Sequence, residues 1–481
     1  MHVAGLIPFS PPSDASSDFL RRLIADLKST PKLSQPWNLK LASPRLKTLA
    51  PVWVEDEYID LDYHIRHSAL PAPGGERELG ILVSRLHSQE IDFHRPPWEL
   101  HVIEGLEGGR FAIYLKIHHS LIDGIAAVRL LLRTLSTRPD DRDAPSFLAA
   151  TKKTPPTTPI DVRAPVPTTS SELMKTLMRG LIKQVASARE AARAVAVLAQ
   201  SARKKNNQLA LPFQAPRCVL NGRIRGARRL ATQQYSMERL KAIAQAADCS
   251  LNDVVLGICA GGLRRFLLEG NNLPEKSLTA GLPVNVRAAD DQSTGNAISF
   301  IVANLGTDIA NPLHRLDAIK ASTQRAKAHL QALPRNAITQ YTMLLMAPYM
   351  AQLLSGQGGR TRPMFNLTIS NVPGPEQPLY FHGARMEAAY PVSLISHGQA
   401  LNITCQSYAG TLNFGFIGDR DTVPHLQRLA VYTGEALKEL EEALSIRQSA
   451  ESPPRAPARK ARSRAKAPAK AAANTTEATD A

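Results

Sequence analysis

The sequence predicts a mixed α/β protein built from two halves. Its 481 residues, 43% of them hydrophobic and 21% charged, are enough to bury two sizeable cores. Hydrophobic side chains recur at every second position over 111–118, a period of two that indicates a β-strand. Over 250–268 they recur instead at the spacing of an α-helix. Because a stretch rich in proline lies between these segments, two α/β halves joined by a linker are expected.

The predicted helix begins at a polar residue. Ser250 and Asn252 both precede its apolar positions, and either side chain can accept hydrogen bonds from the free backbone N–H groups of the first turn. We therefore expect one of them to cap the helix.

Composition divides the chain into four segments. The two halves occupy 1–136 and 216–446. Between them, 137–215 opens with prolines and threonines typical of an extended linker and continues as a helix with one basic and one apolar face. The last segment, 447–481, is rich in alanine, proline and lysine and buries too little apolar area to offset chain entropy, which predicts a disordered basic tail.

The charge and cysteine content narrow the class of protein. Lysine and arginine number 58 against 42 acidic residues, so a phospholipid surface, a nucleic acid or a polyanionic cofactor is a reasonable partner. The four cysteines form no C-x-x-C pair, which argues against a disulfide framework or zinc ribbon and suits a reducing cytoplasm. The first residues lack the pattern of a secretory signal, and we expect a cytoplasmic protein.

The longest uncharged run covers 336–359. It contains Gln340, Pro348 and several glycines, so it is too polar for a membrane-spanning helix, which needs about 20 mostly apolar residues. Met343, Met346 and Met350 recur at helical spacing. We interpret the run as a core helix or as a helix that lies along a membrane surface.

The motif His118–Gly124 follows directly from the predicted strand. Adjacent side chains of an extended segment point to opposite faces, so one of His118 and His119 should face a cavity and the other the interior. Histidine is the natural general base near neutral pH, and an alcohol that is to act as a nucleophile needs such a base. The motif therefore predicts a site of acid–base chemistry.

Other residues of the motif allow more than one role. The carboxylate of Asp123 can accept a proton from an imidazole or bind an arginine and shape the turn, and we favour the structural role. Gly124 permits a backbone path that a side chain would obstruct. A purely structural histidine pair is an alternative, whereas no clustered ligand set indicates a metal. An acyl intermediate on Ser120 is not required, because the strained G-x-S-x-G turn of serine hydrolases does not surround it.

Several further motifs resemble one family of enzymes, the bacterial wax ester synthase/acyl-CoA:diacylglycerol acyltransferases, within the CoA-dependent acyltransferase superfamily. The matching segments are Met1–Leu6, Leu61–His67, Arg95–Glu99, His118–Gly124, Asn221–Arg229, Leu251–Asp253, Pro283–Arg287, Ser370–Pro375 and Gly415–Asp419. The resemblance covers most of the chain and is far more specific than the double histidine alone.

The resemblance implies two chloramphenicol-acetyltransferase-like domains, each a mixed sheet covered by helices, with an active-site tunnel between them. It implies an acyl transfer from acyl-CoA, a substrate rather than a bound cofactor, to diacylglycerol or a long-chain fatty alcohol. His119 would then be the general base and His118 a supporting residue. Arg287 is expected to pair with Asp123 and brace the motif.

The resemblance also directs attention to the start of the predicted helix. The implied reaction would pass through an oxyanion, and Asn252 is a candidate for a polar group near it, although the capping role is equally compatible. Asp253 is expected to support the helix start or interdomain contacts.

Two alternative functions follow from the same sequence. One is a condensation-type acyltransferase that uses another acceptor, and the other is a catalytically silent basic protein that binds lipid or nucleic acid. The basic tail is compatible with peripheral contact of the enzyme with an anionic inner membrane or a lipid droplet. We do not expect nucleic acid as a partner.

Overall fold

A computed structural model describes residues 2–44, 52–121, 134–142, 148, 212–285 and 298–445. Residues Met1–Ile446 form one compact unit. The predicted basic helix, the predicted tail, and Asp123, Gly124 and Arg287 lie outside the described residues.

The described part of the chain contains fifteen strands and eight α-helices. The strands are β1 (His2–Ser10), β2 (Leu39–Leu41), β3 (Trp53–Glu55), β4 (Ile65–Ala69), β5 (Trp98–Leu106), β6 (Arg110–His118), β7 (Arg228–Ser236), β8 (Thr279–Asn285), β9 (Ile298–Asn304), β10 (Leu367–Val372), β11 (Tyr380–Phe381), β12 (Ala384–Met386), β13 (Tyr390–Val392), β14 (Leu401–Tyr408) and β15 (Thr411–Asp419). The helices are α1 (Phe19–Lys28), α2 (Leu61–His64), α3 (Glu76–Ser88), α4 (Met237–Ala246), α5 (Leu251–Glu269), α6 (Pro312–Gln331), α7 (Arg335–Leu354) and α8 (Leu426–Ala443).

The first sheet is mixed and has seven strands. Its order is β11-β12-β1-β6-β5-β4, and β13 also pairs with β1. The central strands β1, β6 and β5 are antiparallel, whereas β4 runs parallel to β5. Although most of this sheet comes from the start of the chain, β11–β13 come from residues 380–392. The domain limits at 136 and 216 stay predictions. The three strands β11–β13 come from the predicted C-terminal half but belong to the sheet of the N-terminal half.

The second sheet has six strands in the order β7-β15-β14-β10-β8-β9. The strand pairs β10/β14 and β8/β10 are parallel and the other pairs antiparallel. Helices α5, α6 and α8 contribute buried side chains to the core cluster that covers one face of this sheet. The observed architecture is thus the mixed α/β fold that the sequence predicts.

Helix α3 joins the two sheets. It covers the first sheet with Leu79 and Val83, which share a core cluster with residues of β5 and β6. Its other side reaches the edge of the second sheet, where the hydroxyl oxygens of Ser84 and Ser88 accept hydrogen bonds from backbone N–H groups of β7 at 2.9 and 2.8 Å. These bonds satisfy donors of an edge strand that would otherwise be unpaired.

The two elements predicted with most detail are confirmed. The strand predicted at 111–118 is β6, and the helix predicted at 250–268 is α5. The residue that caps α5 is Ser250, whose side chain accepts a hydrogen bond from the backbone N–H of Asp253. The Asp253 carboxylate in turn accepts a bond from the backbone N–H of Ser250 at 3.0 Å, which completes a capping box.

Candidate active site

A cavity of about 480 Å³ is lined by residues of both sheets. It therefore occupies the place expected for the tunnel. The wall formed by β1 and β6 is apolar and includes Val3, Ile7, Phe9, Ile113, Leu115 and Ile117. The wall formed by β10 and β14 carries the polar side chains of Thr368, Ser370, Asn371, Asn402, Thr404 and Gln406.

His119 lines this cavity. The reason is the alternation of side chains along β6, because residues 113, 115 and 117 of the same face line it as well. The His119 side chain is exposed, unlike the buried Ile117 that precedes it on this face. An imidazole at the accessible end of an apolar wall can meet the hydroxyl group of a lipid whose chain lies along that wall.

His118 points away from the cavity and is held by its neighbours. Its Nδ1 lies 2.6 Å from the Ser120 hydroxyl oxygen, and the backbone N–H of Ser120 donates to the same nitrogen at 3.3 Å. The ring of Phe93 packs edge-on against it, with ring centroids 4.7 Å apart. Neither His118 nor Ser120 lines the cavity. His119 thus faces the cavity, whereas His118, which is partly exposed, lies outside it.

The start of α5 does not contribute to the cavity. Neither Asn252 nor Asp253 is among the residues that line it. Asp253 is buried and completes the capping box of Ser250, and its Oδ1 accepts a hydrogen bond from the Thr323 hydroxyl at 2.6 Å. The contacts of Asp253 are therefore those of the helix start. The placement of Asn252 in the first turn, behind the cap Ser250, gives no support to its expected position near the oxyanion.

Helix α7 closes part of the cavity. Met346 and Tyr349 on its inner side are lining residues, and the Tyr349 hydroxyl lies 3.1 Å from the hydroxyl of Ser396. Tyr390 of β13 lines the cavity as well. Burial raises the pKa of both phenols, so each keeps its proton and can donate a hydrogen bond.

A buried charge pair lies on the other face of β6. The Lys116 ammonium is fully buried, lies 3.1 Å from the Glu99 carboxylate, and donates to the carbonyl oxygen of Leu86 at 3.0 Å. Burial raises the pKa of Glu99, but the His101 ring and the Lys116 charge outweigh this and lower it to about 2. Burial lowers the pKa of Lys116. The pair anchors β6 to β5 two residues before His118.

Sequence reasoning missed the polar wall. Asn402, Thr404 and Gln406 alternate along β14 with Ile403 and Cys405. Such an alternation normally marks a strand with one solvent-exposed face, yet all five residues are buried. The alternation of polar and apolar residues was the only sign in the sequence that this strand has a polar face. The matching segment Ser370–Pro375 also reaches the cavity, through Ser370, Asn371, Val372 and Pro373.

The described residues show neither a metal site nor a single helix that could span a membrane. Among them, no group of three or more histidine, cysteine, aspartate or glutamate side chains is arranged to hold a metal ion. No single described helix is long and apolar enough to cross a bilayer. Helices α4 and α5 together have the required length and apolar composition, but they meet at a bend of 100°.

The architecture is shared with other proteins of known structure. A wax ester synthase/diacylglycerol acyltransferase from Marinobacter aquaeolei VT8 superposes with a TM-score of 0.73 at 37% identity, over 93% of this chain and 95% of that one. The first condensation domain of the calcium-dependent antibiotic synthetase shares the fold, with a TM-score of 0.54 at 17% identity over 92% of this chain and 91% of that one. Fold and cavity together define a two-sheet acyltransferase.

Sequence comparison identifies the family. Residues 1–255 match the catalytic domain of wax ester synthase/diacylglycerol acyltransferase, and residues 294–441 match the C-terminal domain of the same family. A protein of Mycobacterium tuberculosis H37Rv, named as a candidate diacylglycerol O-acyltransferase, is 50% identical over 92% of this chain and 93% of its own length. The O-acyltransferase WSD of Acinetobacter baylyi is 37% identical over 91% of this chain and 92% of its own length. The chain belongs to this family and is an acyltransferase.

Proposed function

We propose that this acyltransferase moves a fatty acyl group from acyl-CoA to the hydroxyl group of diacylglycerol or of a long-chain alcohol, with His119 as the general base. The observation that carries the proposal is the position of His119 at the end of an apolar wall in a cavity of about 480 Å³. The names of the relatives, which include diacylglycerol and wax ester chemistry, support the choice of substrates.

The proposed reaction needs one base and no change of oxidation state. His119 takes the proton of the acceptor hydroxyl as the oxygen attacks the thioester carbonyl, and the carbon–sulfur bond then breaks. The proton passes to the leaving thiolate, so the products are an ester and free CoA. A positioned base of this kind typically contributes ~10² to 10⁴-fold in rate. Acyl-CoA is consumed as a substrate, and we propose no metal or prosthetic group.

Residues outside the described part of the chain complete the proposal. We propose that Asp123 pairs with Arg287 and braces the turn after His119, with Gly124 giving that turn its backbone freedom. The backbone and hydroxyl contacts of Ser120 with His118 give the same strand end a second anchor. Asn252 does not line the cavity, and the proposed mechanism does not use it.

An acceptor panel tests the proposed function. The purified protein is incubated with palmitoyl-CoA and, in turn, dioleoylglycerol, hexadecanol and a primary amine of the same length, and free CoA is measured. We expect release that depends on a hydroxyl acceptor, with the corresponding ester as product. No release above buffer with either hydroxyl acceptor would refute the proposal, and release only with the amine would favour a condensation-type reaction.

We also propose that the enzyme works in the cytoplasm in peripheral contact with an anionic inner membrane or lipid droplet. Helix α7 supports this, because Met343, Leu344 and Met350 on its outer side are exposed while its inner side lines the cavity. Arginines at 217, 223, 360 and 362 are exposed beside the end of this helix. Arg223 donates to the carbonyl oxygen of Gly356 at 2.8 Å, one residue beyond the helix cap.

These arginines suit anionic headgroups. Within the described residues none of the four has a carboxylate partner. Apolar side chains at the surface and basic side chains without a carboxylate partner are the two features that bind a peripheral protein to anionic lipid. Lipid substrates collected there would lie next to the helix that forms a wall of the cavity.

Vesicle flotation tests this contact. With vesicles of phosphatidylcholine and 30% phosphatidylglycerol, Met343→Ser/Leu344→Ser is expected to reduce the bound fraction about tenfold or more, because two exposed apolar anchors are lost. Val431→Ser, an exposed apolar residue on α8, is the control. Equal binding of the wild-type chain, the double variant and Val431→Ser would show that α7 does not contact the membrane. That result would leave the outcome of the acceptor panel unchanged.

A further inference from the structure

The apolar wall of the cavity has a glycine at its middle. Gly5 of β1 lines the cavity between Val3 and Ile7, which belong to the same face of the strand. Its partners on the neighbouring strands are Leu115 of β6 and Pro391 of β13, and both line the cavity as well. The side chains that cover this wall therefore leave a gap at Gly5.

Neither the backbone nor the packing of β1 requires this glycine. Gly5 has the extended backbone of a strand, which any residue can adopt. Apart from its two neighbours in the chain, no described residue has an atom within 4 Å of the position that a Cβ atom at Gly5 would take. Because glycine weakens the interior of a strand and often marks the close approach of a ligand, the open space above Gly5 indicates that a substrate crosses β1 there.

The apolar wall ends at a cluster of aromatic rings. Ile113 is the first residue of β6 that lines the cavity, and His119 lies six positions later, about 20 Å away at roughly 3.3 Å per residue. Phe111, which precedes Ile113 on the same face, is fully buried and does not line the cavity. Phe9 lines the cavity at this end, with its ring centroid 5.3 Å from that of Phe111 and 6.1 Å from that of Phe381. These three rings form the closed end of the wall, opposite His119.

The size of the cavity fits one alkyl chain. A methylene group takes about the volume of a water molecule in the liquid, roughly 30 Å³, so the 480 Å³ of the cavity hold about sixteen carbons. A chain of about sixteen carbons is also roughly 20 Å long, because each C–C bond of about 1.5 Å advances a zigzag chain by about 1.25 Å. The two chains of dioleoylglycerol, with about 36 carbons, would need on the order of 1,000 Å³. A single chain therefore fits, and the acyl chain of acyl-CoA is the one that both proposed reactions share.

We infer that the acyl chain of acyl-CoA lies along this wall, crosses β1 at Gly5 and ends at Phe9, so that Gly5 and the closed end set the chain length that the enzyme accepts. The inference rests on the proposed function. Gly5 pairs with Leu115, which lies four positions, or about 13 Å, from His119. A larger side chain at position 5 would meet the acyl chain at roughly its tenth carbon, so only shorter chains would still fit.

The experiment varies the length of the acyl chain. Apparent kcat/KM for octanoyl-, palmitoyl- and icosanoyl-CoA is measured at a fixed dioleoylglycerol concentration for the wild-type chain, Gly5→Ala and Gly5→Leu. The wild-type chain is expected to prefer palmitoyl- to octanoyl-CoA at least ~tenfold, because about eight more methylene groups are buried, and to gain nothing with icosanoyl-CoA. Gly5→Leu should lose at least ~tenfold with palmitoyl-CoA and keep most of its kcat/KM with octanoyl-CoA. Gly5→Ala should show a smaller loss of the same kind.

Two comparisons keep the result interpretable. Gly226→Leu adds the same side chain at an exposed glycine that does not line the cavity and has no described atom within 4 Å of its Cβ position, so it should leave the acyl-chain preference unchanged. The methyl group of Gly5→Ala meets no atom of another described element, so this variant carries the test if Gly5→Leu does not fold. Thermal unfolding verifies the fold of each variant.

A second series separates the two substrates that carry an alkyl chain. With octanoyl-CoA at a fixed concentration, octanol and hexadecanol are compared as acceptors for the wild-type chain and Gly5→Leu. The ratio of their kcat/KM values should be the same in both proteins, because the acceptor chain does not lie over Gly5. A changed ratio would overturn the inference and assign the apolar wall to the acceptor.

The remaining outcomes separate this inference from the proposed function. Equal losses with octanoyl- and palmitoyl-CoA in the Gly5 variants, or an unchanged preference between them, would overturn the inference. A wild-type chain that continues to gain with icosanoyl-CoA would also overturn it, because the closed end would then not limit the acyl chain. A wild-type chain that releases no CoA with any of the three acyl-CoA substrates would instead refute the proposed function.

Discussion

At the scale of the residue, the central feature is the opposite orientation of His118 and His119. Residues 113, 115 and 117 share one face of β6 and line the cavity, and His119, directly after the strand, continues this alternation. The sequence therefore predicts that the two rings cannot do the same work. Which of them meets a cavity depends on which face of the sheet is covered, and that requires the fold.

The buried pair Glu99–Lys116 is a second residue-scale feature, and the sequence gives little sign of it. Its members lie on different strands, and a lysine within an apolar strand would ordinarily be placed at the solvent. Both side chains are almost fully buried, and the charges approach to 3.1 Å. Removal of one partner from such a pair leaves the other as an uncompensated buried charge.

We predict that Glu99→Gln lowers the free energy of unfolding by ~3 kcal/mol at pH 7, because it leaves the Lys116 charge buried without its anion. The pKa of Glu99 is about 2 in the folded chain, below its ordinary value of 4.5. The unfolded state thus binds the extra proton between these values, and the stability that Glu99 contributes is lost as the pH falls from about 4.5 to about 2.

Denaturant unfolding at a series of pH values measures this. The difference between the wild-type chain and Glu99→Gln should shrink as the pH falls through that window. Asp140→Asn, in an exposed pair with Arg138, is the control and should leave the stability unchanged at every pH. A difference that is the same at pH 7 and at pH 2 would show that the substitution acts through packing rather than charge.

At the scale of the element, the sequence predicts β6 and α5 closely but does not predict that the polar face of β14 lines a cavity. The period of β6 and the capping residues of α5 are local properties, so local reasoning finds them. For α5 it leaves the choice between Ser250 and Asn252 open, and the capping box with Asp253 decides for Ser250. Strand β14 has an equally clear period, but its polar face borders an internal cavity instead of solvent.

For helix α7, too, the sequence does not show what covers each face. Its methionines at helical spacing fit a core helix and a surface helix equally well. In the structure it is both, because Met346 lines the cavity and Met343 is 67% exposed. A helix with two different apolar faces is recognised only when the position of its neighbours is known.

At the scale of the whole molecule, the sheets are connected in a way that chain order does not reveal. Strand β13 pairs with β1, although more than 370 residues separate the two strands in the chain. It also contacts β14 and β15 of the second sheet. The carbonyl oxygen of Pro391 would lie 1.8 Å from a Cβ atom at Gly415, so only glycine fits at that point of β15. The close approach holds both walls of the cavity together.

The central claim is that His119, and not His118, removes the acceptor proton. The most direct test is the initial rate of CoA release from palmitoyl-CoA with dioleoylglycerol, measured for His119→Ala and His118→Ala after circular dichroism has confirmed the fold of each. We predict that His119→Ala loses at least ~100-fold, the lower range of a general-base contribution, while His118→Ala retains most of the rate. Equal losses, or a larger loss in His118→Ala, would contradict the claim.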